Sequence, residues 1–174
     1  MLKLRQVKHD ISNISELAEN RAEFMAYATN PDYTSTFDTG SGGFLAKHNS
    51  RIPNDSTSKN DIEKYEKEIR MCDVFVKAGH KIVYKEDVQG EYDVLFDGIP
   101  ADLKQTKGTG NIEKYARYAV KSQKAKMVLF CLEKDINRNK AEEALRALYI
   151  VDKIKVLYYY EDNTNVVLSN KSLL

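Results

Sequence analysis

A chain of 174 residues is long enough for one domain with a sizeable core. Its formal charge of +1 argues neither for nor against nucleic acid as a partner. No apolar run approaches the ~20 residues that span a bilayer, nothing at the start resembles a signal peptide, and no CxxC spacing offers a structural zinc site.

A soluble protein acting in the cytoplasm is therefore expected, with Cys72 and Cys131 as buried free thiols inside apolar runs. Residues 1–30 open basic (Lys3, Arg5, Lys8) and continue as a helix. Asn13 and Glu16 are spaced for capping, and Asn30-Pro31 provides the stop. Residues 32–59 are rich in Ser, Thr, Gly and Asn and read as a long loop with a short strand at Phe44-Leu45. The glycine cluster Gly40-Ser41-Gly42-Gly43 lacks the Gly-Lys-Ser/Thr ending of a P-loop and reads as a flexible connection.

From residue 60 the periodicities change. Ile62, Tyr65, Ile69, Cys72 and Val76 repeat at helical steps over 61–78, Gly79 is the stop, and Glu68 falls at the edge of the buried face. A strand over 80–84 follows, then two runs, 92–96 and 101–106, joined through an Asp97-Gly98 hairpin turn. A helix is expected over 112–124 with Asn111 as its cap, a buried strand over 126–132, a helix over 141–151, and closing strands at 155–160 and 165–168. The fold class is α/β (α+β): a mixed sheet flanked by helices over 60–174, carrying an N-terminal helix and loop extension over 1–59.

The chemistry gathers in EYDVLFDGIPADLKQTKG (91–108). In a strand, Asp102 and Lys104 emerge on one face with Leu103 on the other. The hairpin carries Asp93 toward them. Hard divalent cations prefer oxygen ligands, so Asp93, Asp102 and Glu68 are the candidate ligands for Mg²⁺ or Mn²⁺. Lys104 would orient the attacking water or steady a phosphorane. Between residues 102 and 126 there are seven basic and two acidic residues, a local excess of +5. Lys114, Arg117, Lys121 and Lys124 form a helical stripe behind Lys107 and make a candidate nucleic-acid surface.

In its order of elements, with Glu68 on a helix, Asp93, then Asp102-x-Lys104, the chain resembles the PD-(D/E)XK nuclease superfamily and its restriction-endonuclease-like core. Tyr92 stands where that family usually has proline, and Asp102 where glutamate is commoner. The stretch from Phe44 to Glu133 is similar to the C-terminal tRNase toxin domains of contact-dependent inhibition proteins. It also resembles toxin-like tails of phage head-morphogenesis proteins, where an element like Gly42-Gly43-Phe44…His48 precedes the nuclease part. These resemblances imply a metal-dependent endonuclease acting on RNA, tRNA or DNA, of phage or secreted-toxin origin, with an immunity (antitoxin) protein as partner. Two alternatives stay open. One is a metal-independent ribonuclease of the barnase, EndoU, colicin or RelE type, using His48, His80, Lys104 and Thr106 as acid/base groups. The other is an inactive nuclease fold kept as a binding module.

Overall fold

The computed structural model describes residues 14–174, so the basic N-terminal residues and Asn13 lie outside the described part. Among the described residues it carries four α-helices and an eight-stranded mixed sheet with its strands in chain order, the α/β class expected. The described residues fall into two compact units, 14–89 with 93–98, and 90–92 with 99–174.

In the first unit, α1 (Ile14–Ala28) precedes β1 (Tyr33–Phe37) and β2 (Phe44–His48), and α2 (Lys59–Lys77) precedes β3 (Lys81–Tyr84) and β4 (Val94–Phe96). β1 runs antiparallel to β2, β2 parallel to β3, and β3 antiparallel to β4. Phe24 and Tyr27 of α1 pack their rings on Phe44 of β2, with Phe37 and Tyr33 of β1 beside them. The Ser58 hydroxyl accepts the Asp61 N–H to cap α2, which buries Glu68, Met71, Cys72, Phe75 and Val76. Gly79, at φ 95°, turns the chain out of the helix as expected.

Residues 32–59 are not the long loop that their composition implies. Tyr33, Ser35 and Phe37 are half-buried while Thr34 and Thr36 face solvent, so a five-residue in–out alternation with two aromatic residues and two threonines makes β1. β2 is five residues long, not two, and joins this stretch to the sheet of residues after 60. The glycine cluster is a packed turn rather than a flexible connection. A Cβ on Gly43 would lie 2.2 Å from the Val76 carbonyl oxygen and 2.7 Å from that of His80. The Ser41 hydroxyl donates to the same Val76 oxygen at 2.7 Å, and the Asn20 amide donates to the Gly42 carbonyl at 3.3 Å.

The second unit holds β5 (Ile99–Thr106), α3 (Thr109–Ser122), β6 (Met127–Leu132), α4 (Arg138–Ile150), β7 (Lys155–Tyr160) and β8 (Asn163–Ser169). β5, β6 and β7 are parallel neighbours, and β8 returns antiparallel to β7 through a bulge at Tyr158/Tyr160. All six residues of β6 are buried, as a continuous apolar run predicts for a strand covered on both faces. Ile112, Ala116 and Ala119 of α3 and Ala141, Leu145 and Leu148 of α4 meet Val128, Phe130, Val156 and Tyr158 in one core. Buried Asn170 accepts the Val156 N–H and donates to the carbonyls of Leu145 and Ile154, which fixes the C-terminal turn.

Several boundaries differ from expectation, among them that of β4, which starts at Val94 so that Asp93, expected inside a strand over 92–96, precedes it. α3 begins at Thr109 with Gly108 as its N-cap and no side-chain capping bond, so Asn111 lies inside the helix. α4 begins at Arg138, where the Asn137 side chain accepts the Lys140 N–H, a cap that the apolar periodicity starting at Ala141 does not reveal. β8 begins at Asn163, inside the polar run expected to be turn.

Candidate active site

β5, in the second unit, carries the candidate residues Asp102 and Lys104. Its Asp102 lies opposite Val128 and its Lys104 opposite Phe130 of β6, two residues apart and therefore on one face. The Asp102 side chain is fully buried, and its carboxylate forms an ion pair with the Lys104 ammonium. Lys104 keeps a 20% exposed side chain and also donates to the Gln123 amide oxygen at 3.3 Å. A buried carboxylate is tolerated only when paired, and here the pairing cation sits at the solvent edge. The strand then closes through Thr106, whose hydroxyl donates to the Gly108 carbonyl and accepts the Gly108 N–H, both at 3.1 Å. That hydroxyl shapes the Lys107-Gly108 turn.

The first unit holds the other acids. Glu68, on the inner side of α2, accepts the Tyr84 hydroxyl proton and a 3.3 Å hydrogen bond from the Arg51 guanidinium. Arg51 also donates to the Tyr84 oxygen at 2.6 Å and lies 4.2 Å over its ring. Lys64 approaches Glu68 at 3.7 Å from one turn earlier, and Asp87 holds the far side of Arg51 at 3.3 Å. Burial raises the Glu68 carboxyl above its ordinary range; the Tyr84 hydrogen bond opposes this, the Asp93 charge adds to it, and Lys64 and Arg51 oppose it. Glu68 and Asp93 are thus brought within electrostatic reach of each other. Burial likewise pushes the Tyr84 hydroxyl far up, and the Glu68 charge adds to that, so it is a fixed donor. Arg51, Asp61, Lys64, Tyr65, Glu68 and Tyr84 line a cavity of about 190 Å³. Arg51 and Tyr84 are absent from the candidates read in the sequence. They lie 17 and 16 residues from Glu68, and no local spacing links them to it.

The cationic stripe is broken. Arg117 is held in a bidentate bond by Asp152 at 3.0–3.2 Å and by Glu113 at 2.9 Å. Lys124 lies past the end of α3 in a left-handed conformation, φ 58°, 3.8 Å from Glu91. Lys107, Lys114 and Lys121 remain exposed.

The two candidate histidines each make local contacts. His80 is buried against Phe75 and Phe96, and its Nδ1 meets the Asp97 carboxylate at 2.8 Å. The other Asp97 oxygen accepts the Lys81 N–H, so this carboxylate fixes the strand to the turn. Asp97 and Gly98 both have positive φ (48° and 79°), the backbone of a two-residue type I′ turn. His48 caps a short 3-10 turn by accepting the Ser50 N–H and packs edge-on against Tyr33. Cys72 and Cys131 are buried free thiols, both pushed up chiefly by burial.

Among the described residues, no group of three or more His, Cys, Asp or Glu side chains is placed to hold a metal ion. Mg²⁺ keeps several waters and takes as few as one or two protein carboxylates, so the hard oxygen donors of Asp102, or of Glu68 with Asp93, fit its chemistry. No family model matches the chain, and no curated protein does. Its structure is similar to a chain of the CdiA-CT/CdiI toxin and immunity complex from Burkholderia pseudomallei, with TM-score 0.54 and 17% identity. The match covers 71% of this chain and 97% of that one. The likeness is one of fold. Among the described residues, no helix is long and apolar enough to cross a membrane.

Proposed function

We propose that the chain is a toxin nuclease domain that hydrolyses phosphodiester bonds of RNA, tRNA included, or of DNA, with Mg²⁺ or Mn²⁺ as cofactor. The observation that carries this reading is the Asp102–Lys104 pair on β5, a buried carboxylate held against a cation that still reaches solvent. The fold shared with a chain of a toxin and immunity complex supports a toxin context and an immunity protein as partner.

In this reading Asp102 supplies an oxygen ligand, with Asp93 and Glu68 as the further acids. Lys104 offsets the negative charge that develops on the phosphoryl oxygens, and Gln123 holds its ammonium in place. Arg51 and Tyr84 fix the Glu68 carboxyl in one orientation. When bound, the metal supplies Lewis acidity and a water of lowered pKa.

The test is cleavage of labelled tRNA, other RNA and DNA with Mg²⁺, Mn²⁺ or chelator. Asp93→Ala, Asp102→Asn and Lys104→Ala are each expected to lower the rate by at least about 100-fold, with the folded state checked by circular dichroism. Cleavage that survives both chelation and Asp93→Ala would overturn the metal-dependent reading. Salt-sensitive binding with no turnover of any substrate would leave only the binding module.

A further inference from the structure

We infer that Tyr118, flanked by Lys114 and Lys121 on α3, is a stacking platform for an unpaired nucleobase, so that the nucleic acid taken by this chain is single-stranded where it meets α3. The inference deepens the nuclease reading and rests on it for the identity of the ligand as substrate.

Residues 114, 118 and 121 stand at i, i+4 and i+7 and therefore share one helix face. That face is not the packed one, since α3 buries Ile112, Ala116 and Ala119. Tyr118 is 57% exposed, and among the described residues it is the one aromatic in a set of exposed large hydrophobics that is otherwise aliphatic. Neither burial nor helix propensity accounts for a tyrosine there, because tyrosine is an indifferent helix former. The surrounding charges give the face its character. Arg117, one position away, is committed to Asp152 and Glu113, whereas Lys114 and Lys121 make no ion pair among the described residues. Two open ammonium groups about 10 Å apart along the axis bracket one exposed ring. A polyanion with π-faced bases complements that pattern: phosphates meet the lysines and a base meets the ring. A duplex hides its base faces in the stack, so the ring selects unpaired nucleotides.

Fluorescence anisotropy with labelled single-stranded and duplex oligonucleotides tests this on the full chain, with chelator present so that no cleavage intervenes. Tyr118→Ala is expected to weaken single-strand binding about 5- to 150-fold without changing its salt dependence or the melting temperature. Lys114→Ala and Lys121→Ala are each expected to reduce the slope of log K against log salt by about 0.7. The chain contains no tryptophan, so Tyr118→Trp places a single indole at the platform. Retained affinity with quenched emission on single-strand binding supports the inference. Unchanged affinity of Tyr118→Ala, an equal loss on duplex, absent quenching, or a face that takes only an acidic protein would each overturn it. If the binding pattern holds but no substrate is cleaved, the platform stands and the nuclease reading falls. If cleavage holds and Tyr118→Ala binds like the parent, the platform alone falls.

Discussion

Replacing Arg51 with methionine removes the cation from a nearly buried pair and leaves the acid in place. The Arg51 and Glu68 side chains are 10% and 11% exposed and their charged atoms lie 3.3 Å apart. At an effective dielectric of about 20, that separation corresponds to roughly 5 kcal/mol of attraction, most of it offset by desolvation in the intact pair. Breaking such a pair leaves Glu68 with only the exposed Lys64 as a counter-charge, and a loss of about 3 kcal/mol is expected near neutral pH. The loss depends on pH in a definite direction. Burial already raises the folded Glu68 carboxyl above its unfolded value, so the stability linked to this group is full below the unfolded value and is lost as pH rises through the folded one. Arg51 is one of the charges holding that folded value down, so removing it moves the upper edge of the window to higher pH. Below the ordinary carboxylate range Glu68 is neutral with or without Arg51. The Tyr84 contact is then missing, worth about 1 kcal/mol, together with the solvent-exposed Asp87 pair, which contributes less. Urea unfolding of both proteins at about pH 4 and about pH 7.5 measures the difference, and adding Glu68→Gln to the Arg51→Met chain should recover part of the neutral-pH loss. An equal loss at both pH values, or no relief from Glu68→Gln, would refute the reasoning.

Gly43→Ala drives a Cβ into two main-chain oxygens and should cost about 3 kcal/mol or more, read by thermal unfolding. Gly40→Ala is its control, because there a Cβ meets only the Asp38 carboxylate at an ordinary 3.6 Å; equal melting temperatures would contradict the packed turn. Arg117→Ala should leave the salt slope of nucleic-acid binding unchanged, since its guanidinium already engages Asp152 and Glu113. A slope reduced as far as that of Lys121→Ala would restore Arg117 to the binding surface.

The sequence carried what is local and periodic. The apolar steps of α2, the Gly79 stop, the Asp97-Gly98 turn and the unbroken apolar run of β6 each depend on near neighbours, and each stands where its residues place it. The same-side placement of Asp102 and Lys104 follows from strand geometry alone. What stayed hidden depends on distant partners. β1 is a short alternation set in polar surroundings, and it becomes a strand by pairing with β2 and packing under Phe24 and Tyr27. Arg51 looked like one basic residue in a loop, but the fold lays it across Tyr84 and beside Glu68. Arg117 belonged to a cationic stripe only until α4 ended and Asp152 arrived beside it. Charge counted along one helix says nothing about anions contributed by the next.

Within the second unit, β5, β6 and β7 each pair with the strand that follows in the chain. Among its described residues no strand pairs with a segment from far along the polypeptide, so each of these closures spans one crossover helix or one tight turn, and closure entropy grows only slowly over such lengths. The wholly apolar β6 sits second in that series, where it can gather β5 before it and β7 after it. Connections this short keep the sequence separation of paired strands small, which lowers the entropy that each pairing must overcome.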